Sequence, residues 1–325
     1  MLTDVYQRRF VYLRLSLLPI CNFRCIYCLP NGNPKETLHK NHLSLSEIRR
    51  LISAFSGLGI KKIRLTGGEP TLRSDLIDIT QEISSHPKID TLALTTNGYR
   101  LSEIIKDLKE SGLNSLNVSV DSLDPNHFHS ITGQNLLSKV LGGIKKSQEV
   151  GIQKIKINTV ILKGINDNEI SSLITWAEYS QLELRFIELM STEDTKAFFQ
   201  KRHRDLGFIE LFLAERGYHP IPRENQAGPA DMWQHPSHLT KIGLIRPYRT
   251  GFCDSCNRLR VTSEGALQLC LFGSGVLSLR SYLQEDGQEK QIQEAVLSAL
   301  TTKTKSHFLH EANHGITRNL ASIGG

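Results

Sequence analysis

Residues 11–28 read VYLRLSLLPICNFRCIYC, and this stretch decides how the rest of the chain is interpreted. Its first part, residues 11–17, is rich in residues that favour extended structure and predicts a strand. Its second part places Cys21, Cys25 and Cys28 directly after that strand, in a C-x3-C-x2-C spacing. We therefore expect a strand that delivers three thiols to one edge of a sheet.

Short strand-like runs alternate with helical patterns along the first two thirds of the chain. The runs predict strands at residues 11–17, 62–66, 91–95, 115–120, 154–162 and 182–189. The helical patterns lie near residues 44–58, 72–84, 102–111, 135–150, 168–180 and 205–216. Ser44 and Glu47 form a capping box that marks the start of the first helix. Six such units predict an α/β fold with a parallel sheet, open or curled toward a barrel.

Unusual residues follow the predicted strands where each one ends. Ligand sites in such folds lie at the carboxyl ends of the strands, so these residues are expected to meet at one rim. They are Gly67-Gly68-Glu69-Pro70, Thr96-Asn97-Gly98, Ser119, Asp121, Glu188 and Met190.

The six cysteines form two groups of three, because Cys253, Cys256 and Cys270 repeat the grouping in a C-x2-C-x13-C spacing. A structural zinc site needs four ligands, whereas an iron–sulfur cluster held by three thiolates keeps one iron open. Two alternatives remain for each group. One is buried, unreactive cysteines; the other is zinc completed by a nearby histidine, from His39, His42, His235 or His238.

Arg258 and Arg260 lie two positions apart in an alternating stretch that predicts a strand. Residues i and i+2 share a strand face, so both guanidiniums are expected to point the same way, beside Cys256. A turn at residues 263–265 would return the chain to Cys270, forming a hairpin. Paired guanidinium groups suit a triphosphate, although a solvated strand face is the alternative.

The composition excludes several classes of protein. The 325 residues carry a net charge of +6 without a dense basic stripe, which argues against a dedicated nucleic-acid binder. No apolar stretch approaches the ~18 residues of a membrane span. We expect a cytoplasmic protein with no nucleic-acid or membrane partner. A proline-rich connector between residues 220 and 247, predicted to hold little helix or strand, suggests two domains, 1–218 and 219–325.

Two motifs resemble those of the radical S-adenosylmethionine (SAM) superfamily. They are the first cysteine group with Tyr27 before its last member, and Gly67-Gly68-Glu69-Pro70. Residues 253–262, Cys270-Leu271 and Ile323-Gly324-Gly325 resemble the molybdenum-cofactor biosynthesis protein A family, whose members are GTP 3′,8-cyclases. The resemblance implies a six-unit partial TIM-type barrel, with a smaller C-terminal iron–sulfur domain that covers its mouth.

The resemblance also implies a reaction. Two [4Fe–4S] clusters would be held by the two cysteine groups, and SAM would bind the first. A 5′-deoxyadenosyl radical would take the 3′ hydrogen of GTP, and the ribose radical would attack guanine C8 to give 3′,8-cyclo-7,8-dihydro-GTP. The second cluster would bind the guanine base. The final Gly324-Gly325 would insert toward the active site.

Residue roles follow by matching positions. SAM would contact Tyr27, Gly68, Ser119 and Met190, with the two glycines letting the ligand approach the backbone and Glu69 meeting its ammonium group. GTP would contact Arg14, Arg64, Thr95, Lys156, Arg258 and Arg260. The implied partners are a flavodoxin-type or ferredoxin-type electron donor, the next enzyme, cyclic pyranopterin monophosphate synthase, and a second copy of the chain in a homodimer.

Three other functions stay open at this stage. A peptide-modifying radical SAM enzyme would usually carry more C-terminal cysteines than three. A zinc-dependent or cluster-dependent nucleic-acid-binding regulator conflicts with the mild charge. A catalytically inactive scaffold conflicts with the intact cysteines and Gly-Gly-Glu-Pro motif.

Overall fold

A computed structural model of the protein describes residues 2–34, 41–223, 227–273, 275–311, 313–315 and 317–323. His39 and the terminal Gly324-Gly325 lie outside these described residues. Six parallel strands occur where the sequence predicts them, within two residues at either end. They are β1 (Tyr12–Ser16), β2 (Lys62–Thr66), β3 (Thr91–Thr96), β4 (Ser115–Ser119), β5 (Lys154–Ile161) and β6 (Glu183–Glu188).

Helices cover the outside of these strands. The capping box is present, because Glu47 N–H donates to the Ser44 hydroxyl and the Glu47 carboxylate accepts the Ser44 N–H. In the described chain the helices are α1 (Leu45–Gly57), α2 (Leu76–Ser84), α3 (Leu101–Glu110), α4 (Pro125–Thr132), α5 (Leu137–Glu149), α6 (Ile170–Tyr179), α7 (Lys196–Arg202), α8 (Gly207–Glu215) and α9 (Glu289–Leu300).

Three helices, α4, α7 and α9, were not predicted from the sequence. Helix α4 carries a recognisable start signal, because Asp124 caps it and Pro125 occupies its first turn. The predicted helix at residues 72–84 is shorter than expected. A 3₁₀ turn at Pro70–Leu72 precedes it, and α2 itself begins at Leu76.

The strands after residue 218 extend the same sheet at both edges. Over the described residues the strand order is β12-β11-β10-β1-β2-β3-β4-β5-β6-β9-β8-β7. β10 pairs parallel with β1, and β9 pairs parallel with β6. The added strands are β7 (His219–Ile221), β8 (Asp231–Gln234), β9 (Lys241–Ile245), β10 (Arg258–Val261), β11 (Ala266–Gln268) and β12 (Val276–Ser278).

The predicted connector between residues 220 and 247 is wrong, because three strands lie there. Buried Trp233, Ile242 and Leu244 pull β8 and β9 onto the core. Pro220 is tolerated in β7 because this strand is the last of the sheet, where a missing N–H breaks no central ladder. The hairpin prediction is confirmed: β10 and β11 pair antiparallel around Gly265, whose φ of 82° favours glycine.

The sheet has an apolar outer face and a polar inner face. Leu13, Leu15, Ile63 and Leu65 are fully buried in the main core, whereas the alternate residues of β1 and β2 face inward. Register sets these inward residues in two rows, Lys62–Tyr12–Arg258 and Arg64–Arg14–Arg260. No helix in the described ranges is long and apolar enough to cross a membrane.

Candidate active site

The inner face of the sheet encloses a cavity of about 400 Å³, within the range of sites for small molecules. Both rows described above line it, together with inward residues of β3 to β6. Among its described lining residues, eight are Lys or Arg and one, Asp90, is acidic. A cavity with this balance of charge favours a polyanionic ligand. The cations are Arg14, Lys62, Arg64, Lys154, Lys156, Arg185, Arg258 and Arg260.

Tyr12 lies at the centre of the cations. Its hydroxyl accepts a hydrogen bond from Arg64 Nε at 2.5 Å, and Lys62 Nζ lies 4.9 Å from the ring centroid. Burial raises the pKa of Tyr12, but Arg64, Arg14 and Lys62 overcome this effect and lower the pKa to about 7. The phenol therefore acts as a partial counter-charge inside the cavity.

On the opposite wall, Lys156 and Arg185 share one carboxylate. Lys156 Nζ lies 2.6 Å from Glu183 Oε2, and an Arg185 amino group lies 2.6 Å from Oε1. Burial and the nearby Arg185 lower the pKa of Lys156 to about 8, against the opposing effect of Glu183. The shared carboxylate holds both cations in fixed positions at the cavity wall.

The second cysteine group lies at the amino end of the β1–β10 pair. Cys256 comes just before Arg258, the first residue of β10, which is the register partner of Tyr12 at the start of β1. Because β11 runs antiparallel to β10, Cys270, which follows β11, lies at the same end of the pair. Arg8 fixes one loop by donating to the carbonyls of Cys253 and Lys305, at 3.2 and 2.8 Å. Lys303 fixes the other loop through the Leu269 carbonyl.

The first cysteine group lies at the carboxyl end of β1, in the loop that follows the strand. The Asn33 side chain bonds both the N–H and the carbonyl of Cys21 at 2.8 Å. Tyr27 donates to Asp121 Oδ2 at 2.8 Å, which ties the loop to the end of β4. The two groups therefore flank β1, whose five residues span about 16 Å.

The Gly-Gly-Glu-Pro segment supports the first cysteine loop. A Cβ on Gly68 would lie 2.1 Å from the Ile20 carbonyl oxygen, and one on Gly67 would lie 2.4 Å from that of Leu18. The glycines are thus needed for contact between two backbones, and the approach of a ligand to Gly68 stays a prediction. Gly68 and Glu69 N–H groups donate to the same two carbonyls, at 2.7 and 2.8 Å.

Glu69 is fully buried, and the described protein already satisfies its carboxylate. Oε1 accepts from the Thr71 N–H, the Thr71 hydroxyl and the Thr96 hydroxyl, at 2.6–3.0 Å. Oε2 accepts from the Asn97 N–H at 2.7 Å. Burial raises the pKa of Glu69 despite these bonds. Glu69 therefore joins β2 to β3, and its contact with an ammonium group stays a prediction.

The six cysteines have the chemistry that iron–sulfur clusters require. All six are free thiols of intermediate exposure. Burial raises the pKa of Cys21 to about 11 and that of Cys28 to about 12, so a bound metal is needed to make them thiolates. At Cys256, Arg258 and Lys303 outweigh the effect of burial and lower the pKa. The residues present therefore fit two three-thiolate clusters.

Of the histidines considered as zinc ligands, the structure describes His42, His235 and His238. His235 and His238 stack on each other with ring centroids 5.0 Å apart, near Tyr218. His42 is exposed just before α1. Across the part of the chain that the structure describes, no group of three His, Cys, Asp or Glu side chains could hold a single metal ion.

The C-terminal segment connects the two cysteine groups. Leu320 packs with Phe272 and Leu309, against the partly buried Cys28 and Met190. The Thr317 hydroxyl donates to the Leu271 carbonyl at 2.5 Å, next to Cys270. Residues 317–320 thus lie between the loops that carry Cys28 and Cys270.

The predicted site residues divide between two places. All six predicted GTP contacts line the cavity, as does Met190. The other three predicted SAM contacts lie outside that wall. Tyr27 is in the first cysteine loop, Gly68 is in the segment that supports this loop, and Ser119 is at the end of β4.

Sequence reasoning missed Tyr12, Lys62, Arg185 and His307 in the wall. Tyr12 and Lys62 could have been found, since each lies two positions before a predicted contact on the same strand face.

Two family profiles match the chain. One, described as "Radical SAM superfamily", matches residues 15–177. The other, described as "Molybdenum Cofactor Synthesis C", matches residues 182–309. Together they cover both cysteine groups and most of the residues that line the cavity.

Curated relatives match along the full length. A GTP 3′,8-cyclase of Cronobacter sakazakii (strain ATCC BAA-894) is 46% identical over 325 residues, covering 100% of this chain and 99% of the relative. One from Pasteurella multocida (strain Pm70) is 45% identical over 324 residues, covering 100% and 96%.

Solved structures share the fold at low identity. Streptococcus suis SuiB bound to the precursor peptide SuiA has a TM-score of 0.65 at 14% identity, covering 97% of this chain and 76% of that one. The anSMEcpe structure with bound AdoMet and the Cp18Cys peptide has a TM-score of 0.57 at 13% identity, covering 89% and 84%. These likenesses confirm the partial-barrel fold, and the curated relatives confirm the family. The chain belongs to the GTP 3′,8-cyclase family of the radical SAM superfamily.

Proposed function

We propose that this chain converts GTP to 3′,8-cyclo-7,8-dihydro-GTP in molybdenum cofactor biosynthesis. One observation carries the proposal: two three-cysteine groups lie at opposite ends of β1, and the second group lines a cavity that is rich in cations. This arrangement suits a nucleoside triphosphate whose ribose must react near the first group while its base is held near the second. Full-length identity of 46% to a GTP 3′,8-cyclase supports the same assignment.

The roles of individual residues are part of the proposal. Cys21, Cys25 and Cys28 would hold one [4Fe–4S] cluster, and Cys253, Cys256 and Cys270 the other. Tyr27, Gly68, Ser119 and Met190 would contact SAM. Arg14, Arg64, Thr95, Lys156, Arg258 and Arg260 would contact GTP, joined by Lys62 and Arg185, which line the same wall.

The cofactors would supply the radical chemistry, and the protein would bind and orient the substrate. When bound, SAM and its cluster supply a 5′-deoxyadenosyl radical, which removes a ribose hydrogen. The protein's own contribution is to bind and orient. The two rows on β2, β1 and β10 present guanidinium groups that can hold phosphate oxygens bidentately. Because Tyr12, Arg64 and Arg260 are buried and the other members of the rows are partly buried, the rows would also limit the access of water to the reacting ribose.

The proposal extends to partners and location. Reduction would come from a flavodoxin-type or ferredoxin-type donor, and the product would pass to cyclic pyranopterin monophosphate synthase. The chain would act in the cytoplasm, with residues 1–218 and 219–325 as its two domains, and a homodimer is proposed. The family assignment supports the pathway. Residues of both proposed domains line one cavity, which supports their acting together.

An anaerobic turnover assay tests the function. The protein is reconstituted with iron and sulfide, its iron is counted, and SAM, dithionite and GTP are added. We expect about eight irons per chain, with 5′-deoxyadenosine and cyclised GTP forming together. Cys28→Ala and Cys270→Ala form a matched pair, each losing about four irons. Formation of 5′-deoxyadenosine without consumption of GTP would show a different substrate, such as a peptide.

A further inference from the structure

His307 lies in the cavity wall beside the second cysteine group, in the segment that follows α9. Its ring is buried and packs against Phe252 and Phe272, with centroid separations of 5.8 and 6.0 Å. Its backbone N–H interacts with the Cys253 sulfur. The ring therefore occupies a fixed position between that cysteine loop and the cavity.

The hydrogen bonds of the ring define its tautomer. Nδ1 accepts the N–H of Leu309 at 3.1 Å, so this nitrogen carries no proton. The ring is then neutral, and its one N–H is on Nε2. Nε2 is buried and has no hydrogen-bond partner among the described residues. The Pro247 backbone lies near the ring and interacts with it. The contact does not have the distance and angle of a hydrogen bond from Nε2.

A buried donor without a partner is rare, and its position in a cavity wall calls for an acceptor on the ligand. The wall around His307 differs from the rest of the cavity. Pro247, Phe252, Leu271 and Phe272 line this part, and Arg258 at the start of β10 is the cavity cation that acts on His307. A mostly apolar wall with a neutral donor suits a flat heteroaromatic base better than it suits phosphate.

We infer that His307 is a specificity-determining residue, whose Nε2–H donates to the 6-oxo oxygen of the purine base. This inference rests on the proposed function, because it assumes a nucleoside triphosphate in the cavity. A 6-oxopurine offers an acceptor at this edge, whereas a 6-aminopurine presents an N–H that would face the His307 N–H. The site would then bind 6-aminopurines weakly, because the His307 N–H and the amino N–H would face each other with no acceptor between them.

Equilibrium binding to the iron-loaded protein, without reductant, tests the inference. The ligands are GTP, inosine triphosphate, which keeps the 6-oxo group, and 2,6-diaminopurine ribonucleoside triphosphate, which has an amine there. We expect the wild type to bind the two 6-oxo nucleotides with similar Kd, and the diamino nucleotide at least about 10-fold more weakly.

Two variants isolate the donor. His307→Phe keeps a ring between Phe252 and Phe272 but removes the N–H. We expect it to weaken GTP binding about 10-fold, and to bring GTP and the diamino nucleotide to within about 3-fold of each other. His307→Gln restores an N–H donor and is expected to recover part of the preference. His310→Phe changes an exposed histidine nearby and serves as the matched control.

The outcomes separate the two claims. A preference unchanged in His307→Phe, with full iron content, would overturn the inference. So would a wild type that binds GTP and the diamino nucleotide equally, a result that needs no variant to fold. A wild type that binds no GTP would instead count against the proposed function, before any variant is compared.

Discussion

Arg14 and Arg260 are register partners on the adjacent parallel strands β1 and β10, so two arginines lie side by side in the cavity wall. Arg64 is the register partner of Arg14 on its other side. Burial lowers the pKa of Arg14 to about 10, with Arg64 and Arg258 adding to the effect. Burial, Arg14 and Arg258 also lower the pKa of Arg260 well below its usual value. A bound polyanion would relieve this repulsion.

The row Arg64–Arg14–Arg260 is expected to lower the stability of the ligand-free protein and to raise its affinity for GTP. Arg260→Met removes a buried charge while keeping much of the side-chain volume, so we expect the ligand-free protein to gain about 1 kcal/mol in free energy of unfolding. GTP affinity should fall at least about 10-fold, because a bidentate phosphate contact is lost. Chemical denaturation and equilibrium binding measure the two effects.

Arg49→Met provides the control for Arg260→Met. Arg49 lies on α1, and its largely exposed side chain pairs with Glu82 at the surface. This change should alter GTP affinity by less than about 2-fold, because surface ion pairs contribute little. A ligand-free Arg260→Met protein that is less stable than the wild type would contradict the repulsion argument.

Tyr12 predicts a pH dependence of GTP binding. Its phenol faces Arg14 on β1, Lys62 and Arg64 on β2, and Arg258 on β10, and its pKa is about 7 without ligand. A triphosphate would disfavour the phenolate, so binding should take up a proton and weaken as pH rises above 7. We expect GTP affinity to fall about 10-fold from pH 6 to pH 8 through this group.

Tyr12→Phe isolates the contribution of the phenol. Lys156 and the nucleotide phosphates titrate in both proteins, so only the difference between the two pH profiles reports on Tyr12. The ultraviolet tyrosinate band of the wild type should also decrease when GTP binds at pH 8. Parallel profiles for the two proteins would rule out the ionisation of Tyr12.

Gly68→Ala should damage the first cluster while sparing the second. The added Cβ would lie 2.1 Å from the Ile20 carbonyl oxygen and 2.9 Å from the Cys21 nitrogen, so the cysteine loop must move. We expect about four irons per chain to be lost from the reconstituted protein, measured by iron analysis and electron paramagnetic resonance. Gly142→Ala on α5 meets no atom within 4 Å and should keep full iron content.

Glu69→Gln tests the carboxylate that joins β2 to β3. An amide would turn one acceptor into a donor that faces N–H or O–H groups in a fully buried site. We expect the free energy of unfolding to fall by about 2–3 kcal/mol in chemical denaturation of the ligand-free protein. Glu103→Gln changes an exposed carboxylate on α3 and should leave the free energy of unfolding nearly unchanged. Equal losses for the two variants would contradict the role of Glu69.

The sequence predicted those parts of the fold that depend on local pattern. The six barrel strands and the hairpin around Gly265 follow from alternation and turn chemistry, and the structure agrees to within two residues. Local pattern could not reveal that β10 pairs with β1, because parallel pairing between distant segments leaves no short-range signal. The strands of residues 219–245 were mistaken for a connector because of their prolines, although β7, β8 and β9 pair antiparallel with their neighbours along the chain.

In the candidate site, too, the sequence predicted what depends on local pattern and did not predict what depends on contacts between distant residues. Cysteine spacing and the paired arginines pointed to the cavity, since these residues are chemically unusual on their own. The structural roles of Gly68 and Glu69 were not predicted, because a sequence cannot show that a glycine lies against a neighbouring backbone. His307 gave no signal, because its importance depends on a tautomer fixed by the Leu309 N–H.

The pairing of β1 with β10 has a consequence for how the chain is made. Tyr12 and Arg258 are neighbours in space but about 250 residues apart in the chain. During synthesis at about 5–20 residues per second, one edge of β1 stays without its partner for tens of seconds. Such an edge is a template for pairing with other chains, so chaperone protection is expected to matter most in this interval. The barrel edge closes only as the last fifth of the polypeptide emerges from the ribosome.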